Sequence, residues 1–398
     1  MTTQVFLKDL FSSTVSGYWG SGAAASEVDV KIVRNGDIAR DGSVRWDELP
    51  VRGLSEAEAK KASISDDDLL MTTSGECGRV ALVRSDPVGV CTSNFVRRIR
   101  CDTTRTDPGF AYHLLRDRTI QREFARFTRG TTLQNLSLQK AFSSISVSLP
   151  PLGEQRRIAS ILDAADELRT KRQQAIDQLD TLTEAIFHEM FGDPLSPDPS
   201  LEMTNLADVA TFVRGITFKP TDVLDSPGPR SVGVMRTANV QSELDTKDVW
   251  ELPDSFVKRD DQYLRPFDTL ISSANSWNLV GRCCLIPKEI QRSSFGGFVT
   301  ALRPTGSKIR PRFLHSWFSS SKVQQTVRTF GRRTTNISNL DLKRCAGLRI
   351  AVPELASQVE FENRLDGVDG LLAGHKHGLG QIDDLFASLQ QRAFRGDL

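Results

Sequence analysis

A chain of 398 residues with 51 basic and 50 acidic side chains is long enough for two or three domains, each able to bury its own core. Its formal net charge of +1 names no partner by itself, and no run of 18 apolar residues marks a membrane span. Six cysteines (Cys77, Cys91, Cys101, Cys283, Cys284, Cys345) form no C-x-x-C pair and have no histidine cluster beside them; together with a first stretch that lacks the basic start and apolar core of an export signal, this argues for a reducing, cytoplasmic setting and against a zinc site or disulfide framework.

Residues 1–149 are short apolar runs separated by Gly, Pro, Asn and Asp, the pattern of a strand-rich mixed unit. Strands are expected over 79–84 and 94–100 and a helix over 110–128. A Thr-Thr turn follows, then a short helix capped by Ser137, whose oxygen can accept a first-turn amide. From 150 to 192 the pattern changes. Beyond Gly153 there is no Pro or Gly until Gly192, and Ile158, Ile161, Ala165, Leu168, Ala175, Leu179, Leu182 and Ile186 recur in steps of three and four, a heptad seam. A helix of this length is about 55 Å long, and its narrow stripe needs a second helix over it. Gly192-Asp193-Pro194, with Pro197 and Pro199, ends the helix in a stiff linker.

Residues 193–352 repeat the first plan, with a strand over 298–303, a helix over 312–329 and a short helix capped by Asp341. In the segment 353–398 a second long helix is expected from about residue 357 to 395, with Phe361, Leu365, Val368, Leu372, Leu379, Ile382, Phe386, Leu389 and Ala393 on its seam. Gly367, Gly370, Gly374, Gly378 and Gly380 weaken it by about 1 kcal/mol each against Ala. Gly370, Gly374 and Gly378 lie one turn apart, either as a face for close backbone approach or as tolerated loosening. Arg172 and His375 interrupt the two seams at equivalent places. They either fix the register or reach outward to water.

Internal self-similarity decides the organisation. Val147-Ser148-Leu149-Pro150-Pro151-Leu152-Gly153-Glu154-Gln155 returns as Ile350-Ala351-Val352-Pro353-Glu354-Leu355-Ala356-Ser357-Gln358, 203 residues later. The stretch from Arg129 to Leu138 echoes in that from Arg333 to Leu342, that from Asp68 to Gly75 in that from Asp268 to Asn275, and that from Gly78 to Leu82 in that from Gly281 to Leu285. The order is the same in both halves, so the chain is a duplication. If the two long helices cover each other's seams they run antiparallel, and a pseudo-two-fold arrangement with the strand-rich units at opposite ends is expected. The fold class is α+β.

Charge is concentrated within each half. Between Arg79 and Gly130 there are eleven arginines against five acids, and between Arg303 and Arg349 eleven basic residues against Asp341 alone. A local basic field of this kind suits phosphate contact and steering onto a polyanion. Forked donors, amides and aromatics on loops are the groups that read base edges. Arg40, Arg45, Trp46 and Arg79 qualify in the first half, and Asn239, Asn275, Trp277 and Arg282 in the second. Arg129, Thr131 and Thr132, with Arg332, Arg333 and Thr334, have the same chemistry in both halves and suit backbone contact. The flanks match between halves and the loops do not, so two different short sequences would be read. There is no phosphate-binding loop, dinucleotide fingerprint, Asn-Pro-Pro-aromatic stretch or nuclease acid set, and five histidines are dispersed. The pattern is that of a recogniser without catalysis.

The stretch Leu149-Pro150-Pro151-Leu152-Gly153-Glu154-Gln155-Arg156-Arg157-Ile158, approached through Gly130-Thr131-Thr132-Leu133-Gln134-Asn135-Leu136-Ser137, resembles the signature of the specificity subunits of type I restriction-modification systems. The second copy departs from it, with Pro353-Glu354-Leu355-Ala356-Ser357-Gln358 in place of the Pro-Pro and Glu-Gln pairs. The resemblance implies two target-recognition domains, at 1–149 and 193–352, each reading half of a bipartite DNA target. It implies an antiparallel coiled coil of the helices at 150–192 and 353–398 as the spacer between them. Implied partners are double-stranded DNA, two methylation subunits and restriction subunits, with S-adenosylmethionine and ATP/Mg on those partners and no cofactor on this chain. On that footing Arg156, Arg157, Glu167, Arg169 and Lys171, outside the seam, are candidates for docking the methylation subunits. Two alternatives stay open: a specificity subunit of a methylation-only system, and a coiled-coil scaffold that binds DNA without sequence preference.

Overall fold

The β-branched and apolar runs of each half close into small sheets whose remaining faces are covered by helices. In the computed structural model, residues 3–21, 28–85, 87–131, 133–333 and 337–395 are described. They fall into two units, Met1–Gln174 with His377–Leu398, and Ala175–Lys376.

The first unit begins with β1 (Thr3–Phe6), β2 (Phe11–Ser16), β3 (Val28–Val33), β4 (Val51–Leu54) and α1 (Glu56–Ala62). It continues through β5 (Leu69–Thr72), β6 (Val80–Leu82), β7 (Val90–Thr92), β8 (Val96–Cys101), α2 (Pro108–Arg116) and α3 (Arg118–Arg126). Then come β9 (Thr128–Arg129), β10 (Asn135–Leu136), α4 (Leu138–Ser144), β11 (Ser146–Leu149) and the first part of α5 (Leu152–Phe191). A four-stranded sheet runs β2-β8-β5-β6, a three-stranded one β4-β3-β7 with β3 and β7 parallel, and β1 pairs with β11. The main core joins Leu69, Ile99, Phe110 and Phe124 to Ile158 and Leu162 of α5 and to Phe386 and Ala393.

The second unit starts with β12 (Glu202–Asn205), α6 (Leu206–Val209), β13 (Ala210–Arg214), β14 (Ser231–Met235) and β15 (Trp250–Pro253). After these come β16 (Thr269–Ser272), β17 (Ala274–Asn275), β18 (Cys283–Leu285), β19 (Ser293–Phe295), β20 (Val299–Pro304), α7 (Pro311–Ser319) and α8 (Ser321–Thr329). It ends with β21 (Gly331–Arg333), β22 (Ser338–Leu340), α9 (Leu342–Ala346), β23 (Arg349–Val352) and the first part of α10 (Leu355–Arg395). Its sheets are β13-β20-β16-β18, β15-β14-β19 with β14 and β19 parallel, and β12-β23, the same orders as in the first unit. Its core sets Phe187 and Phe191 of α5 against Phe313, Trp317 and Phe361. The duplication seen in the sequence is a duplication of topology.

Two expected helices are split. Asp117, extended at ψ 138°, takes the amides of Thr119 and Ile120 and so starts α3 afresh, and Ser320 breaks the equivalent stretch at ψ 145°. Asp341 caps α9 by accepting from the amides of Lys343 and Arg344. Ser137 makes no such bond.

The long helices cover each other antiparallel. Within the first unit Arg169 bonds Asp383 at 2.6 Å, and Gly378 leaves room for the Arg172 guanidinium. Within the second, Phe187 meets Phe361 and Glu189 pairs with Arg364. The seam of α10 is as read. That of α5 is shifted: Leu162 and Ile176 are buried, while Leu168 is 48 % and Leu182 38 % exposed. The slip arises because half-buried Arg169 and Arg172 occupy seam positions that an apolar count skips.

Candidate nucleic-acid interface

In the first unit the strand end Thr73-Ser74 organises a tip. The Asn35 amide donates to the Ser74 carbonyl, Ser74 bridges Asn135, and Asn135 faces Arg129 across the β9-β10 pair. Arg40 pairs with Glu76 at 3.3 Å, its side chain 83 % exposed, and Arg79 pairs with the same Glu76. The structure therefore brings Arg40, Arg79 and Arg129 to one tip. Arg79 is held by the Ile38 carbonyl at 2.8 Å, so it braces the turn, while Arg40, Arg45, Arg129 and Thr131 are exposed. Trp46 is half-buried against the cluster of Val33, Ile38 and Leu49; it is a packing residue. Thr132 lies outside the described residues.

In the second unit Asn275 lies opposite Ser338, and Ser338 opposite Arg333. Asn275 donates to Ser272 Oγ at 3.0 Å, and Arg282 donates to the Gln241 side chain. Trp277 is half-buried, its ring close to Gly331. Asn239 is a correction. It is 2 % exposed, accepts from the Arg236 amide at 2.7 Å and donates to the carbonyls of Asp245 and Asp248. Both ends of its amide are committed, so it shapes the loop and reaches no base. Arg332 is exposed and paired with Asp341. Thr334 and the side chain of Arg333 lie outside the described residues.

Both units also carry an equivalent ion pair on a buried aspartate, with Arg100 partly exposed in the first and Arg303 buried in the second. Asp68 holds Arg100 at 2.7 Å and Asp268 holds Arg303 at 2.6 Å, each aspartate following a residue of positive φ (Asp67 at 61°, Phe267 at 64°) and preceding a central strand. Burial, the leading cause, pushes the thiols of Cys101, Cys284 and Cys345 up to about 12, which removes them as nucleophiles at neutral pH. Among the described residues no cluster of His, Cys, Asp or Glu could hold a metal, and no helix is long and apolar enough to cross a membrane.

Residues 3–179 match the family model of the type I restriction modification DNA specificity domain. The first part of the chain is thus similar to the type I specificity subunits. The StySPI specificity subunit of Salmonella potsdam is 28 % identical over 190 residues, covering 47 % of this chain and 40 % of that protein. The EcoKI specificity subunit of Escherichia coli K12 is 22 % identical over 312 residues, covering 73 % and 65 %. The chain thus spans 40 % and 65 % of the lengths of these two relatives. The type I restriction-modification S subunit of M. genitalium shares the fold at TM-score 0.58 and 16 % identity, over 99 % of this chain and 96 % of that one. A chain of a type I R-M system, solved for its complex assembly and conformational transition, matches at TM-score 0.57 and 18 % identity over 100 % and 98 %.

The glutamine that the two helix starts share has the same structural role in both copies. Gln155 is fully buried; its Oε1 accepts from the Asp107 amide at 2.8 Å, and its Nε2 donates to the carbonyls of Arg105 and Pro150. Gln358 does the same with the Arg310 amide and the carbonyls of Lys308 and Pro353. Each glutamine ties the start of a long helix to the loop before α2 or α7. Two to three turns further on, acids seal the joint: Asp163 receives Arg84 and His113, and Asp166 receives Arg116. In the second unit Arg312 reaches both Asp366 and Asp369. Of the expected docking residues, Arg156, Arg157, Glu167 and Lys171 are exposed, with pairs Arg157–Glu154 and Lys171–Glu167. Arg169 is a correction: it bonds Asp383 and Asp166 and stands 5.1 Å over the Phe386 ring, so it is committed within its own unit.

Proposed function

We propose that this chain is the DNA-reading subunit of a type I restriction-modification complex, that each unit reads one short half of an asymmetric, bipartite target, and that methyl transfer and cleavage belong to partner subunits. The observation that supports it most is one frame with two different tips: Arg40, Asn35 and Arg129 about Ser74 in the first unit, and Asn275, Trp277 and Arg282 in the second. A shared frame supplies the approach to the backbone, and different tips supply different readings.

The partner-facing surface is proposed on the long helices. Leu168 and Leu182 of α5 are exposed, and so, 203 residues on, are Leu371 (57 %) and Leu385 (55 %) of α10. Apolar side chains left out at the same position of both repeats fit two copies of one helical partner, the methylation subunit. Arg156, Glu167 and Lys171 would form the polar rim. S-adenosylmethionine and ATP/Mg would be held by the partners.

Selection from a random duplex library, by the chain combined with its methylation subunit, tests the reading. Two short motifs at a fixed separation are expected. Binding without an enriched motif would leave the scaffold as the function. Whether a restriction subunit joins the complex is read by ATP-dependent cleavage of unmethylated DNA carrying the selected target.

A further inference from the structure

Two large apolar side chains stand out at the tips, and the interface as described gives them no task. Phe95 is 42 % and Phe298 63 % exposed. They are equivalent, 203 residues apart, each immediately before the central strand β8 or β20. Both sit in the same tight turn: the Val96 amide donates to the Ser93 carbonyl at 3.1 Å, and the Val299 amide to that of Gly296 at 2.8 Å. The residues before them differ, Ser93-Asn94 in one copy and Gly296-Gly297 in the other. The aromatic has been kept where its neighbours have not.

The backbone beneath each ring is also fixed alike. The Phe95 carbonyl accepts from the Thr73 amide at 2.9 Å, and the Thr73 carbonyl from the Leu136 amide at 2.8 Å. The Phe298 carbonyl accepts from the Ser273 amide at 2.9 Å, and the Ser273 carbonyl from the Leu340 amide at 2.8 Å. Each phenylalanine is thereby tied to the strand end around which the tip is built. The hairpin on the other side of that strand end carries a further exposed apolar side chain, Leu133 at 53 % and Ile337 at 45 %. A partly exposed ring gives up part of the burial that would stabilise the free protein, and contact in a complex accounts for its place at a rigid, duplicated position. With Arg40 and Arg129 at the tip of the first unit and Asn275 and Arg282 at that of the second, the surroundings are those of groove contacts. Within such surroundings apolar side chains meet thymine methyls or wedge against base faces.

We infer that Phe95 and Phe298 are base-contacting residues, one in each unit, packing their rings against the bases of that unit's half-site. This rests on the DNA-reading function proposed above and adds the residues that supply its uncharged share. The chemistry separates them from the arginines. A ring neutralises no phosphate, so removing it lowers affinity without changing the slope of log K against log salt, whereas removing a phosphate-bound arginine flattens that slope by about one.

The test uses the full chain with its methylation subunit and duplex probes carrying the motif that the wild type selects. F298A and F95A are expected to weaken binding about ten-fold or more, with the salt slope kept, and each to lose discrimination in a different half of the motif. R129A serves as the contrast, with a reduced slope. F298L and F95L should recover part of the affinity, and an unchanged thermal midpoint for each variant keeps folding out of the result. If the wild type selects a motif and both alanine variants bind it as tightly, the inference is overturned while DNA reading stands. If the wild type selects no motif, DNA reading itself fails and this inference fails with it.

Discussion

Gln155 and Gln358 show how much a single side chain can fix. Each makes three hydrogen bonds from a fully buried amide, and leaving a buried donor or acceptor unpaired costs about 1–3 kcal/mol. Gln155→Ala is expected to lower the stability of the first unit by about 2–4 kcal/mol, and Gln358→Ala that of the second by a similar amount, as read by urea unfolding. Gln155→Glu should not rescue, because a carboxylate cannot donate to the Arg105 and Pro150 carbonyls. His315 sets a pH dependence. Burial, the leading cause, and then the nearby Arg312 push its imidazole down to about 4 from an ordinary 6.5, and its Nδ1 lies 3.2 Å from Thr269 Oγ1. The unfolded chain therefore takes up a proton that the folded one refuses between about pH 6.5 and 4, so stability falls as pH drops through that window. Thermal midpoints of His315→Asn measured from pH 7 to 4 should fall less steeply than those of the wild type.

Among the elements, α10 is a helix despite its five interior glycines, which locates its stability in packing and not in propensity. A Cβ at Gly367, Gly370, Gly374 or Gly380 would meet nothing within 4 Å. Alanine at each of these is expected to stabilise by about 0.5–1 kcal/mol, and the four together to raise the thermal midpoint. The close backbone approach that the Gly370, Gly374 and Gly378 spacing allows is not made at any of them: Gly370 and Gly374 have open space, and at Gly378 a Cβ would stand 2.4 Å from the side-chain Nη1 of Arg172. Gly378→Ala should accordingly gain less or lose. Apolar periodicity located both long helices and the seam of α10, where Phe361 and Leu365 stand between charged residues and have no apolar neighbour competing one position away. On α5 the count placed Ile158, Ala165, Leu179 and Ile186 on the covered side, but took Leu168 where Arg169 lies in the seam and added Leu182, both of which the fold leaves exposed. Those exposed leucines lie on the proposed docking face: Leu168→Lys and Leu371→Lys should leave stability within about 0.5 kcal/mol yet weaken capture of the methylation subunit, measured by co-purification. Equal recovery of the partner would remove these leucines from its interface.

At the scale of the whole chain, what was legible was the repeat, because duplication preserves the residues that build the frame: buried Asp68 and Asp268 for the arginine pairs, Gln155 and Gln358 for the helix starts. The tips were only partly legible. Arg40 and Asn239 look alike as loop donors in a sequence, and only the fold separates an arginine 83 % exposed from a buried amide whose two N–H groups and oxygen are already bonded. Phe95 and Phe298 could have been found by asking which loop residues recur at an offset of 203, a signal present in the sequence but outweighed there by charge. The same division of frame from tip gives a prediction for the complete molecule. Because the two units have separate cores and separate tips, damage to one reader should erase one half of the target and spare the other. Arg40→Ala with Arg45→Ala should relax base preference in one half-motif by about 1–3 kcal/mol per lost contact, while Asn275→Ala with Arg282→Ala relaxes the other, with the spacing between halves unchanged in both. Library selection on each double variant reads this directly. A loss spread evenly over both half-motifs would mean that the tips act jointly on one site and would end the account of two independent readers.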